Sequence, residues 1–166
     1  MTNREIIVAT AELAIVQGEV TLRAVGVGSC VVIVFHEPIT QLGAMAHAML
    51  PFRIAREHSG EVVSAPRDPK YVDEAIEELV ARSEARGVKR EALSCRIFGG
   101  ADMFTMFTTA AGGVGRQNVD AACATLDRLH VPYDASETGG TAGRTIEFRV
   151  ATGTAIVHMG ITTQYS

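Results

Sequence analysis

Cys30-Val-Val-Ile-Val-Phe-His36, Glu37-Pro38-Ile39-Thr40 and Gln41-Leu-Gly-Ala-Met-Ala-His-Ala-Met-Leu50 are the consecutive stretches that decide how this chain folds. The first is a β-branched run of strand length and the last a second apolar run, while the link between them carries a proline suited to a turn. Together they predict a β-hairpin. A hairpin turning symmetrically about Pro38 and Ile39 sets Cys30 opposite His47. Directly opposed residues of an antiparallel pair share a face, with β-carbons about 4.5–5.5 Å apart. A slip of one residue would send one of the two to the other face.

Upstream, residues 6–14 and Val16 read as strand, Gly18 breaks the run, and 20–27 alternates imperfectly. Downstream, 51–69 holds three prolines, a glycine and mixed charges and reads as a loop. Residues 70–86 predict a helix: Val72, Ala75, Ile76, Leu79 and Val80 recur at helical spacing, acids come first and bases last, and Gly87 stands at the C-terminal cap. A strand over 93–98 ends at Gly99-Gly100. The small-residue stretch 101–115 reads as a ligand-side loop. A second helix is expected over 117–129, with Val119, Ala122, Cys123, Leu126 and Leu129 on its apolar side. Short strands at 132–135, 145–150 and 154–157 complete the chain. This pattern predicts one domain, residues 1–166, built as an α/β sandwich: one largely antiparallel or mixed sheet system covered by two main helices.

A chain of 166 residues with 47% hydrophobic content can bury one substantial core. Its net charge of -4, from 15 basic and 19 acidic residues, offers no electrostatic footprint for nucleic acid. Residues 1–8 mix charge with a short apolar run and lack the pattern of a secretory leader. The run 30–35 falls far short of the roughly 20 residues of a membrane helix. Both point to a cytoplasmic protein without membrane insertion.

Three cysteines, at 30, 95 and 123, make no short-range pair, so neither a disulfide framework nor a zinc site is expected. Cys95 in a strand and Cys123 in a helix fit core positions. His36, His58, His130 and His158 have no ligand-like spacing with carboxylates, and no metal or organic cofactor is assigned.

Cys30 stands in a different setting, behind Gly26-Val-Gly-Ser29. Such a backbone turns sharply and exposes N–H groups that suit the negative oxygen formed when a thiolate attacks a carbonyl. An imidazole beside the thiol supplies a base, and pairing with it raises the thiolate fraction. The residues by themselves also allow a plainer reading, in which Cys30 is a small buried hydrophobe and His47 a core histidine; neither reading names a substrate.

The stretch Gly26-Val-Gly-Ser-Cys-Val-Val-Ile-Val-Phe-His-Glu-Pro38, followed by Gly43-Ala-Met-Ala-His-Ala-Met-Leu-Pro51, resembles the signature of the CheD family, the chemoreceptor glutamine deamidases. The likeness continues through Lys70-Tyr-Val-Asp-Glu-Ala-Ile76, Phe98-Gly-Gly-Ala-Asp-Met-Phe104, Gly115-Arg-Gln-Asn118 and Glu137-Thr-Gly-Gly140. The resemblance implies a protein-glutamine glutaminase that turns receptor glutamines into glutamates through a cysteine thioester, with Cys30 as nucleophile and His47 as base. It implies the cytoplasmic domains of chemotaxis receptors as partners, together with a CheC-type phosphatase.

The family also uses a threonine six residues before the cysteine as a third catalytic member, and here that position is Ala24. Thr21, nine residues before Cys30, does not inherit the role by position. The departure keeps open a receptor- or phosphatase-binding protein with little or no turnover, beside the enzyme reading. Transfer of the thioester to an amine is a second enzymatic alternative. Gly99, Gly100, Gly139 and Gly140 are expected at tight turns or close backbone approaches. Arg116 and Asn118 are expected to anchor the second helix to the sheet, and the loops 51–69 and 101–115 to wall a substrate groove.

Overall fold

The computed structural model describes residues 3–54, 66–103 and 112–160. In chain order the elements are β1 (Arg4–Ile7), β2 (Glu12–Gln17), β3 (Val20–Val27), β4 (Val31–Glu37), β5 (Leu42–Ala48), α1 (Val72–Ala85), β6 (Ser94–Gly99), α2 (Val114–Leu129), β7 (Tyr133–Thr138), β8 (Arg144–Arg149) and β9 (Thr154–Met159). The α/β class and the two covering helices are as the sequence predicts. The strands, however, divide between two sheets, ordered β1-β3-β8-β9 and β2-β5-β4-β6-β7. Both are mixed: β1 runs parallel to β3 and β7 to β6, and the other pairings are antiparallel.

Side-chain alternation separates two cores. Val31, Ile33 and Phe35 of β4 and Leu42, Ala44, Ala46 and Ala48 of β5 pack under α1 and α2. Val32, Val34 and Met45 point the other way and pack with Leu22, Ala24, Ile146 and Phe148 of the four-stranded sheet. β4 is therefore buried on both faces, which explains why its sequence is a continuous β-branched run.

The hairpin forms in a register different from the symmetric one. Val31 pairs with Ala48, Val32 with His47 and Glu37 with Leu42, so Val32 and not Cys30 lies opposite His47. The cause lies in the turn. The Glu37 carboxylate accepts the backbone N–H groups of Ile39 at 2.7 Å and Thr40 at 2.8 Å, together with the Thr40 hydroxyl. This closes the turn about Ile39 and Thr40, with Gln41 in the left-handed region at φ 52°. The displacement is two residues, an even number, so the face is preserved.

Residues 6–14, read as one strand, are broken by a corner. Glu12 N–H donates to the Ala9 carbonyl, and Ala11 takes φ 65°. This corner carries the chain from the four-stranded to the five-stranded sheet. α2 begins at Val114, three residues before the expected Gln117, because its first turn has small residues without apolar periodicity. Gly115 lets that turn rest on the chain leaving β6: a β-carbon there would stand 2.4 Å from the Ala101 carbonyl oxygen.

Candidate active site

Cys30 sits just before β4, beyond the last hairpin pair, with its side chain half-buried against the core between the two sheets. The backbone leading to it is pinned at three successive carbonyls. Gly28 accepts from Ala101 N–H at 2.9 Å, Ser29 from Asn118 Nδ2 at 2.8 Å, and Cys30 from Gly100 N–H at 2.8 Å. The approach leaves no room for a side chain at Gly99, where φ is 94° and a β-carbon would meet the Cys30 carbonyl oxygen at 2.4 Å.

The Glu137–Gly140 stretch braces this loop from outside. The Arg144 guanidinium donates to the Glu137 and Gly139 carbonyls, Gly139 N–H donates to Gly99 at 2.9 Å, and Asp102 N–H donates to Gly140 at 3.0 Å. These glycines serve turns and close approaches, as expected.

His47 is buried, and alternation along β5 puts it on the side of Met45, facing the second sheet. That is also the side on which Cys30 packs. Its Nδ1 lies 3.2 Å from the Val8 carbonyl oxygen. A carbonyl only accepts, so Nδ1 carries the proton and Nε2 presents a lone pair. Among the described residues Nε2 is buried without a hydrogen-bond partner. Both the sulfur and the ring lie toward the inter-sheet core, and among the described residues no hydrogen bond joins them.

Val8 belongs to the corner between β1 and β2. Its N–H donates to the Arg23 carbonyl at 2.8 Å, and Ala11 N–H donates to the His47 carbonyl, also at 2.8 Å. The corner is thus stitched to His47 at ring and backbone. No sequence signal marks Val8, because the group that matters is a main-chain carbonyl. Ala24 is fully buried in the inter-sheet core, and the Thr21 hydroxyl accepts from Asn3 Nδ2 at 2.9 Å.

Burial pushes the Cys30 thiol up, and its own backbone N–H offsets part of this. Burial holds the His47 imidazole below its ordinary range, with the Val8 carbonyl acting the other way. Both directions favour neutral forms. These directions run against the ion pair expected from the two side chains alone.

A cavity of about 210 Å³ is lined by Ser29, Ala101, Asp102, Met103 and the start of α2, with neither Cys30 nor His47 among its lining residues. A larger groove of about 660 Å³, lined by Phe52, Asp73, Gln117 and Arg128 among others, lies on the helical layer, away from the face shared by Cys30 and His47. Of the expected groove walls, residues 55–65 and 104–111 lie outside the described residues. Asn118 is fully buried and anchors α2, as expected. Arg116 does not: its side chain is exposed and pairs with Asp120 at 3.8 Å on its own helix. Cys95 is buried and Cys123 half-buried, both against the helix-side core. Among the described residues no helix is long and apolar enough to cross a membrane.

The family model described as CheD chemotactic sensory transduction matches residues 49–159. The chain belongs to the CheD family. That match begins after both Cys30 and His47, but similarity to individual CheD proteins extends further. The "Chemoreceptor glutamine deamidase CheD" of Halalkalibacterium halodurans is 36% identical over 151 residues, covering 90% of each chain. The protein of the same name from Thermotoga maritima is 32% identical over 151 residues, covering 91% of this chain and 89% of its own. A "Probable chemoreceptor glutamine deamidase CheD" of Geobacillus kaustophilus is 38% identical over 156 residues, covering 92% and 90%.

Proposed function

We propose that this protein is a cytoplasmic protein-glutamine deamidase acting on chemotaxis receptors, with Cys30 as nucleophile and His47 as general base. The observation that carries the reading is the Val8 carbonyl at His47 Nδ1, which leaves the Nε2 lone pair as the free end of a buried imidazole. It acts on the face where Cys30 packs. The names of the relatives support the substrate class.

In the reaction, Nε2 takes the proton from the Cys30 thiol as the sulfur attacks the carboxamide carbon of a glutamine side chain. The oxygen of the tetrahedral intermediate becomes negative and is met by the Cys30 backbone N–H. The imidazolium returns its proton to the departing nitrogen, the C–N bond breaks, and ammonia leaves behind a thioester. Water, deprotonated by the same imidazole, attacks the thioester; its collapse gives glutamate and restores the thiol. All bonds and protons balance within the pair, the amide and water.

The Ala24 departure favours the alternative of a receptor- or CheC-type-phosphatase-binding protein with little turnover. Orientation of His47 by Val8 weighs against it, since the imidazole keeps a fixed tautomer without a threonine hydroxyl. Ammonia release from a chemoreceptor cytoplasmic fragment separates the readings. Turnover by wild type that is lost in Cys30→Ala and His47→Ala supports the deamidase. Tight binding by all three without ammonia supports the binding protein.

A further inference from the structure

The hairpin ladder ends at Val31 and Ala48, and Cys30 stands just beyond its last pair. Strands that splay at this point would separate the sulfur from the imidazole. One side chain holds the open end. Asn118, on the first turns of α2 and fully buried, donates its Nδ2 to the Ser29 carbonyl at 2.8 Å and the Met49 carbonyl at 3.1 Å. Two carbonyl acceptors require the amide nitrogen at this point. Among the described residues its Oδ1 is buried without a hydrogen-bond partner, so the side chain is held through its nitrogen.

The two carbonyls are informative. Ser29 precedes the nucleophile, and the N–H on the far side of the same peptide unit is that of Cys30. A trans peptide points its C=O and N–H in opposite directions. With the C=O drawn to α2, the Cys30 N–H is directed away from the helical layer, toward the face on which Cys30 packs. Met49 lies two residues after His47 on the partner segment. We propose that Asn118 is a positioning residue: its carboxamide clips Ser29 to Met49, sets the spacing of Cys30 and His47, and aims the Cys30 N–H at the developing oxyanion. The inference rests on the deamidase reading and assigns the clip to the helix layer, outside the reacting atoms.

Asn118→Leu keeps approximate side-chain size and removes both donors. Displacement of catalytic groups at this scale lowers kcat by about 30-fold or more while KM, set by receptor docking, stays within about twofold. Leu126→Ala, in the same helix and buried in the helix-side core, is the control for general destabilisation: it lowers Tm but leaves kcat within about threefold. Second-order alkylation of Cys30 by iodoacetamide is measured in parallel, because it needs no receptor. In Asn118→Leu the rate is expected to fall to that of His47→Ala.

A drop in kcat that exceeds the control, with KM held, supports the clip. An Asn118→Leu protein with wild-type kcat, or a Leu126→Ala control losing as much kcat, overturns it. If wild type shows no receptor turnover, the deamidase reading fails by itself. Alkylation then still decides whether Asn118 couples Cys30 to His47: unchanged reactivity in Asn118→Leu refutes the coupling.

Discussion

His47 Nδ1 stands 3.2 Å from the carbonyl oxygen of Val8, 39 positions earlier in the chain, so a main-chain carbonyl and not a side chain holds the ring. Val8 is itself tied to β3 at Arg23, next to Ala24. The strand that carries the family's threonine position therefore still supports the imidazole, one residue away and through a backbone relay.

Restoring the hydroxyl is accordingly not expected to help. Ala24 is fully buried between the sheets, so Ala24→Thr adds volume and a polar group to a filled core, at a cost of about 1–3 kcal/mol. Thermal melts should show a lower Tm and initial-rate measurements a kcat no more than about threefold above wild type. A rise in kcat by an order of magnitude would mean that the Val8 carbonyl leaves His47 under-oriented.

The charge state of the pair is open to titration. Burial lowers the His47 pKa from 6.5 and raises the Cys30 pKa from 9.0. The reactive neutral pair should persist across this interval, with the acid limb of kcat/KM below 6.5 and the alkaline limb above 9.0. Alkylation of Cys30 that is half-titrated below 6.5 would instead indicate a resting ion pair.

The same depression links His47 to stability. Between its folded pKa and 6.5 the unfolded chain binds more protons than the folded one, so stability is fully present above 6.5 and declines as pH falls through that window. Melting curves from pH 7 to 5 should show a decline that is smaller in His47→Gln, which cannot titrate. Equal slopes for both proteins would remove His47 from the acid sensitivity.

At Gly99 the conformation and the packing act together. Gly99→Ala forces a side chain into φ 94° and against the Cys30 carbonyl. The expected loss is about 1–3 kcal/mol in chemical denaturation. Displacement of the Cys30 loop should also reduce alkylation of the thiol. Wild-type stability and reactivity in this variant would show that the loop is not held as tightly as its hydrogen bonds indicate.

Much of this was legible in the residues. β-branched runs located the hairpin, and three- and four-residue periodicity located α1. Cys30 and His47 stood out by their surroundings, and parity kept them on one face even though the register moved by two. The register itself was hidden because the Glu37 carboxylate, not Pro38, sets where the turn closes. Two sheets were hard to separate from one, because β4 is apolar on both faces and shows no alternation to say which side a second layer covers. The start of α2 lacked a periodic signal, its first turn being chosen for close approach. Val8 could not be found from sequence at all: any residue supplies a carbonyl, and only the corner between β1 and β2 directs this one at the ring.

The most direct test is site-resolved mass spectrometry of a chemoreceptor cytoplasmic fragment from the same organism after incubation with wild type or Cys30→Ala. The expected result is conversion of particular glutamines to glutamates by wild type only, with both proteins folded and both binding the fragment. Unmodified glutamines after incubation with a wild-type protein that binds the fragment would contradict a Cys30–His47 deamidase and leave a receptor-binding protein in its place.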